Sequence, residues 1–483
     1  MTGKHLFYTF PSLLILSLLC WLGLRSPLDG WEKKIAKIGT FSSPGAADLN
    51  ADGVLDVVIG AGGEEFEARD TAVIALDGRS GEVLWAVSGQ DQFFSKPIFN
   101  DINQDGVPDV LMAGRSAQLI AIDGKSGRKL WDFSRDQAPR FKLFNFYTPV
   151  VVPDQDEDGI SDLIVANGGD VSKKAYEKDR ASGRLMLISG SDGTLIRSDT
   201  MPDGKETYMS PVLHDDGQAS LVFGSGGETI GGHLYLIKLK DFVESGLRDV
   251  SILASDSLKG FIAPPLFQDL NADGIQDIIV NAVAGRILVL DGKDKHLLWE
   301  VIIPDTELYT TAAAGNFNDD PIPDLFINAG KGIWPDMSQC LQLALDGRDG
   351  SILFEDSLSF MSMSSPLALD VNDDGTDEAL LSINFQRSRQ TYRGIPIGKG
   401  IVYSKLVAFD IANHKRLKLA EDFKGANLSV TSWLGDLDDD GHLDLLHAYH
   451  TDTSNFTAFN GLSIIRRELD IPVSAIRTSS YLP

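Results

Sequence analysis

Polar and apolar positions alternate along this chain in blocks. An acidic stretch, Asp48, Asn50, Asp52, Gly53 and Asp56, runs straight into the apolar segment 57–60. Asp101, Asn103, Asp105, Gly106 and Asp109 do the same 53 residues later, and Asp154, Asp156, Asp158, Gly159 and Asp162 follow after another 53. The pattern returns as Asp269, Asn271, Asp273, Gly274 and Asp277, as Asp370, Asn372, Asp374, Gly375 and Glu378, and as Asp436, Asp438, Asp440, Gly441 and Asp444. A weaker copy has Asn316, Asn318, Asp320 and Asp324, with Pro321 where glycine is expected. His214 to Gly217, ahead of the apolar segment 220–223, is a degenerate copy with a shortened loop. Self-similarity at such a period is the mark of a repeat architecture.

The flanks repeat too. Pro44, Pro97, Pro265 and Pro366 each stand four residues before the first acid, where proline starts a strand without losing a ladder bond. Downstream, an apolar run, a glycine turn and a second apolar run ending in an aromatic recur as 74–85, 120–131, 288–299 and 343–354. One unit therefore reads as strand a, acidic loop, strand b, variable connection, strand c, tight turn, strand d. A lone four-stranded antiparallel sheet leaves both faces bare, so such units stack around an axis, and closure protects their edges. The predicted fold is an all-β propeller over residues 31–483, with eight blades or alternatively seven. Trp31 to Ile38 looks like a strand d arriving ahead of the first strand a, able to latch the ring onto the last blade.

Composition sharpens the picture at three points. Lys and Arg number 43 against 69 Asp and Glu, giving a net charge of −26, and an excess of acid argues against a nucleic-acid partner. Leu6 to Leu24 is almost uninterruptedly apolar, with Lys4 before it and Arg25 after it. It predicts a hydrophobic helix within residues 1–30, acting as a cleaved signal or a retained anchor and placing the remainder outside the cytoplasm, periplasmic or at the cell surface. No small-x-small cleavage site follows, which favours the anchor. Only Cys340 lies in the repeat region, so no disulfide staples it and another staple is implied.

The acidic loops supply one. Positions 1, 3, 5 and 9 carry Asp, Asn or Glu, and position 6 is usually a glycine that permits a sharp turn. Hard oxygen ligands at this density suit Ca²⁺, and without a cation the acids repel one another. The expected ligands are the acids and amides of the seven loops named above, from Asp48 to Asp444. An EF-hand is excluded, because its twelfth position would be Ile59, already within a strand. This repeated D-x-[DN]-x-D-G-x-x-D pattern followed by a hydrophobic strand resembles the FG-GAP repeats of integrin α-subunit propellers and the related VCBS repeats. The resemblance implies calcium between strands a and b and ligand binding on the opposite face. The glycine-turn segments ending in tryptophan also resemble quinoprotein propeller repeats, but the vicinal cysteine pair of the quinoprotein alcohol dehydrogenases is absent, which argues against a quinone.

Consecutive strands reverse direction, so a–b and c–d connections emerge on one face and b–c and d–a connections on the other. Long b–c insertions fall at about 64–70, 170–183, 331–340 and 385–399. They bring Lys173, Lys174, Arg180 and Trp334, and Arg387, Arg389, Tyr392 and Arg393, to the face opposite the acidic loops. The expected function is binding or adhesion to an acidic glycan or protein surface. The alternative is a lyase on acidic polysaccharides, in which a Tyr or Lys base beside an Arg supports elimination. No spacing singles out such a base, and no catalytic or organic-cofactor residue is assigned.

Overall fold

The computed structural model describes residues 30–476 apart from 134–141, 175, 215, 216, 218, 319, 335, 388, 389, 393, 394, 398, 399 and 456. The expected N-terminal hydrophobic helix lies outside the described residues. Eight antiparallel blades surround an axis, each with four strands in the order a-b-c-d, and the third and sixth blades carry an additional two-residue strand, Asn145–Phe146 and Thr306–Glu307, paired with strand b. The first blade is Gly45–Ala47, Asp56–Gly60, Arg69–Leu76 and Val83–Gly89, and its strand a begins directly after Pro44. Strands a after Pro97, Pro265 and Pro366 begin in the same way. The degenerate copy is a full fourth blade, with strands Val212–His214, Ser220–Gly224, Gly232–Lys238 and Ser251–Asp256. A short helix, Leu239–Ser245, replaces its c–d turn.

Burial explains the sequence pattern. Strands b and c are covered on both faces by neighbouring blades, so they are continuous apolar runs, as in Asp109–Ala113 and Leu119–Ile122. Strand d is the outer edge and alternates, as in Val83–Gly89. The core is correspondingly divided into layers. Leu111 and Leu119 of the second blade pack against Phe146 and Leu163 of the third, and an equivalent apolar cluster fills each of the eight junctions.

The ring closes through the N-terminal strand. Gly30–Ala36 pairs antiparallel with Gly461–Pro472, from Gly30 opposite Arg467 to Ala36 opposite Gly461, and serves as strand d of the eighth blade. Glu32 accepts hydrogen bonds from Tyr449 Oη at 2.8 Å and Ser463 Oγ at 2.7 Å, tying the two ends of the chain together.

Four junctions carry a further tie. Trp31 Nε1–H donates to the Gly78 carbonyl at 2.8 Å, Trp85 to Gly124 at 2.7 Å, Trp131 to Gly190 at 2.8 Å and Trp299 to Gly347 at 2.8 Å. Each indole of one strand d thus reaches the c–d turn of the next blade. That turn must be small. Gly193 has φ +74°, and a Cβ there would lie 2.7 Å from the Trp131 ring. At Gly190 a Cβ would lie 1.9 Å from the Ser161 carbonyl.

The insertion at 331–340 differs from the loop expected. It lengthens strands b and c of the sixth blade to Asp324–Ile333 and Asp336–Leu345, with pairing continued to Ile333 opposite Asp336. Added ladder hydrogen bonds satisfy its backbone better than an irregular loop would.

Trp131→Phe keeps the ring but removes the indole donor, and costs about 1–2 kcal/mol by loss of one buried hydrogen bond. Gly193→Ala meets both a left-handed backbone and the indole, and costs at least about 1 kcal/mol. Denaturant midpoints check both, and unchanged midpoints would remove the junction role. His447 is fully buried, pairs through Nδ1 with Ser432 Oγ at 3.0 Å, and burial lowers its pKa from 6.5 to about 4. The folded state therefore resists its protonation, so its contribution is complete above pH 6.5 and lost as pH falls towards 4. Relative to His447→Phe, the wild type should lose on the order of 3 kcal/mol between pH 7 and pH 4. Urea titrations at both pH values measure this.

Candidate functional site

The acidic loops share one internal device. The position-nine carboxylate is buried in all seven, at Asp56, Asp109, Asp162, Asp277, Asp324, Glu378 and Asp444, while most of the other predicted ligands stand at the surface. Asp56 accepts hydrogen bonds from the Leu49 N–H at 2.9 Å in its own loop and from the Gly78 N–H at 2.9 Å in the c–d turn. Asp109 joins Ile102 to Gly124, Asp162 joins Gln155 to Gly190, and Asp277 joins Leu270 to Gly292 in the same manner. Burial raises the pKa of Asp56 and Asp162 to about 6, and that of Asp324 and Glu378 to about 7.

The outer positions fold their loops. Asp48 accepts from the backbone N–H of Asp52 and Gly53, and Asn50 Oδ1 accepts from Asp52. Asp101, Asn103 and Asp105 repeat this arrangement, as do Asp269, Asn271 and Asp273, and Asp370, Asn372 and Asp374.

Three loops bring three carboxylates within reach of one ion: Asp154, Asp156 and Asp162; Asp320, Asp324 and Asp346; Asp436, Asp438 and Asp444. Their surroundings differ. Asp158 of the first accepts a hydrogen bond from Ser189. In the second, Asp324 Oδ2 is buried with no close hydrogen bond among the described residues, and the half-exposed Arg348 reaches Asp320 and Asp346. Asn316 turns away from this cluster, its backbone N–H donating to Asp377 at 2.7 Å and its amide to the Gly375 carbonyl at 3.1 Å. In the third, the buried Arg466 binds Asp444 at 2.8 Å and Asp438 at 2.6 Å, so a guanidinium already neutralises the loop.

Sequence reasoning passed over Asp346, which belongs to the c–d turn. Its signal was present, because an acid precedes the turn glycine at Asp77, Asp123, Asp291 and Asp346 alike. Asn50 donates to Asp77 at 3.2 Å and Asn271 to Asp291 at 2.9 Å, so these turn acids face the loops.

On the opposite face, the b–c and d–a connections surround an axial cavity of ≈ 480 Å³. Lys173, Arg180 and Trp334 of the predicted ligand face line it, while Lys174 stands exposed outside. Arg389 and Arg393 lie outside the described residues, as do the side chains of Arg387 and Tyr392. Phe41, Phe94, Tyr147, Tyr208 and Met363 complete much of the wall. These five come from d–a connections, each two or three residues before a strand-a proline, and that spacing was the overlooked signal. The Phe94 and Tyr147 rings lie 5.6 Å apart and those of Tyr147 and Tyr208 6.1 Å.

The basic residues at this cavity have protein partners. Arg180 donates to the carbonyls of Glu177 at 2.8 Å and Lys174 at 2.9 Å and lies 3.8 Å from Glu206. Lys173 pairs with Glu177 at 2.9 Å and Asp179 at 3.3 Å, and Arg115 with Glu65 at 2.9 Å. Below the rim, the buried Glu206 and Glu307 accept from Tyr208 at 2.9 Å and Tyr309 at 2.8 Å, and Lys259 pairs with Glu307. Burial pushes the Tyr147, Tyr208 and Tyr309 hydroxyls far above the usual tyrosine range, and nearby glutamates add to the shift. Burial likewise raises Glu206 and Glu228.

No curated protein sequence matches the chain. Its fold is similar to that of BamB from Moraxella catarrhalis, at 11% identity over 91% of this chain and 100% of that one, with a TM-score of 0.52. A europium-containing methanol dehydrogenase is similar at 13% identity over 90% and 93%, with a TM-score of 0.52. The quinohemoprotein alcohol dehydrogenase from Comamonas testosteroni is similar at 11% over 94% and 77%, also at 0.52. At such identities the likeness is one of fold. The FAM234A/B β-propeller family matches residues 31–373, from the latch strand through the sixth blade and into the acidic loop of the seventh. The FG-GAP resemblance rests on the loop motif alone, and the chain belongs to the FAM234A/B β-propeller family.

Proposed function

We propose that this chain is an extracytoplasmic binding module that takes a glycan or protein ligand at the axial cavity, while Ca²⁺ in the acidic loops rigidifies the opposite face. The observation that supports it is the convergence of b–c and d–a residues from several blades on one cavity. Its ≈ 480 Å³ falls within the usual range for ligand pockets. The apolar segment at 6–24 supports export, with the propeller secreted or tethered at the surface.

Elimination chemistry is disfavoured by the same geometry. A general base must be able to stand deprotonated near the working pH, and burial drives the cavity tyrosines the other way, holding their protons on.

Calcium suits the loops unequally. The loop at Asp154 combines four acids with no bound guanidinium among the described residues, and the loop at Asp320 offers the orphaned Asp324 oxygen. The loop at Asp436 holds its own cation in Arg466. At millimolar calcium, a site of roughly 0.1–1 mM affinity stabilises the fold by about 0.4–1.4 kcal/mol.

A chelator should therefore lower the Tm, and Asp156→Asn should reduce the calcium-dependent rise, whereas Asp438→Asn should leave that rise unchanged. Differential scanning calorimetry with and without calcium decides, and a chelator-insensitive Tm would end the calcium reading. For the ligand face, a glycan and protein array should give signals that fall by about tenfold or more in Trp334→Ala at unchanged Tm. Array signals equal for wild type and variant would remove the cavity from the binding role.

A further inference from the structure

We propose that the axial cavity recognises an alkylammonium group, protonated or quaternary, held between aromatic rings and a carboxylate. The inference rests on the binding role proposed for this cavity and names the chemistry of its ligand.

The aromatic wall is the first ground. Phe41, Phe94, Tyr147 and Tyr208 come from four d–a connections and Trp334 from a b–c hairpin, so one cavity gathers five rings. The π-faces of aromatic rings carry negative potential and attract cations, most strongly when water is excluded.

The second ground is which charged groups remain available. An acidic ligand would need free guanidinium or ammonium donors. Arg180 spends its donors on carbonyls and Glu206, Lys173 on Glu177 and Asp179, and Arg115 on Glu65 and the Gln92 side chain, with its guanidinium 5.9 Å from the centroid of the Phe94 ring, so that the four other rings remain for a ligand. Asp170 is paired in turn with Lys142 and Ser172. Glu228 is the exception. It lines the cavity and makes no hydrogen bond or ion pair with the described residues, although Arg180 and Lys259 act on it through space. Glu206, on which Glu228 acts through space, is fully buried, and its Oε1 has no hydrogen-bond partner among the described residues. The wall thus offers the remaining π-faces and an unpaired carboxylate to an incoming group, while the cations among the described lining residues are already committed. That combination favours a positive ligand over the acidic one that the count of basic residues had suggested.

The ammonium group has two sources, a small quaternary amine or a lysine side chain presented by a partner protein. Isothermal titration of the purified full-length protein distinguishes them with choline and Nα-acetyl-lysine-methylamide. The neutral isostere 3,3-dimethylbutan-1-ol and glucuronate serve as controls. At least one cation should bind about tenfold or more tightly than the neutral alcohol. Tighter choline binding assigns a free quaternary amine, and tighter binding of the lysine derivative assigns a protein partner. Glu228→Gln should weaken the cation by about fivefold or more at unchanged Tm, and Trp334→Ala should do the same through loss of a ring. Equal binding of cation and neutral alcohol, no binding of either cation, or undiminished binding by Glu228→Gln would overturn the inference. Binding of glucuronate that is lost in Trp334→Ala would also overturn it while leaving the binding role intact. An array without any Trp334-dependent ligand would instead reject that role itself.

Discussion

Four of the blades with an intact acidic loop depend on one carboxylate placed where two hairpin ends meet. At Asp56, Asp109, Asp162 and Asp277 it accepts N–H groups from the a–b loop and from the c–d turn together. Burying an anion is costly unless hydrogen bonds compensate, and leaving these N–H groups unpaired would be costly too. The two demands solve each other. The same contact fixes the glycine after Asp77, Asp123 or Asp291, because the turn must press its backbone onto the loop.

Once that corner is fixed, the turn carbonyl points outwards and becomes the acceptor for the indole of the preceding blade. The chain of dependence therefore runs from the loop acid to the turn glycine to the Trp of the neighbour. Trp31 fits it from the far end of the sequence, since the N-terminal strand brings to the eighth blade the indole that the other stapled blades find in their own strand d. Sheet pairing supplies most of the closure, and the indole adds one hydrogen bond between the last blade and the first.

The repeat, the strand boundaries after proline and the latch strand were legible in the sequence, because each is written in local spacing. The eight inter-blade cores were legible as continuous apolar runs for strands b and c. What escaped notice depends on distance across the ring. Arg466 reaches the loop at Asp436 only because strand c lies beside strand b there, and nothing in the residues around Asp438 announces it. The predicted basic face illustrates the same limit, since Arg180 and Lys173 could be counted from sequence but their commitment to Glu177, Asp179 and Glu206 could not. The aromatic wall was half legible, for its spacing from the prolines is regular, yet only a closed ring makes four separate connections into one surface.

The two faces of the disc are built on opposite economies of sequence. The acidic face repeats one solution at Asp56, Asp109, Asp162 and Asp277, where the loop acid seats the turn that meets the preceding blade, and departs from it at the helix of the fourth blade and at Arg466 of the eighth. The other face is released from that constraint, and its connections differ in length, from the hairpin of the sixth blade to the Arg180-braced loop of the third. Braced loops matter for recognition, since a side chain already held by its own backbone loses little further freedom when a ligand arrives. Arg180 does this by donating to carbonyls along 170–177, at the cost of being unavailable to an anion. Ordering the rim thus occupies the Arg180 guanidinium with the carbonyls of its own loop and with Glu206.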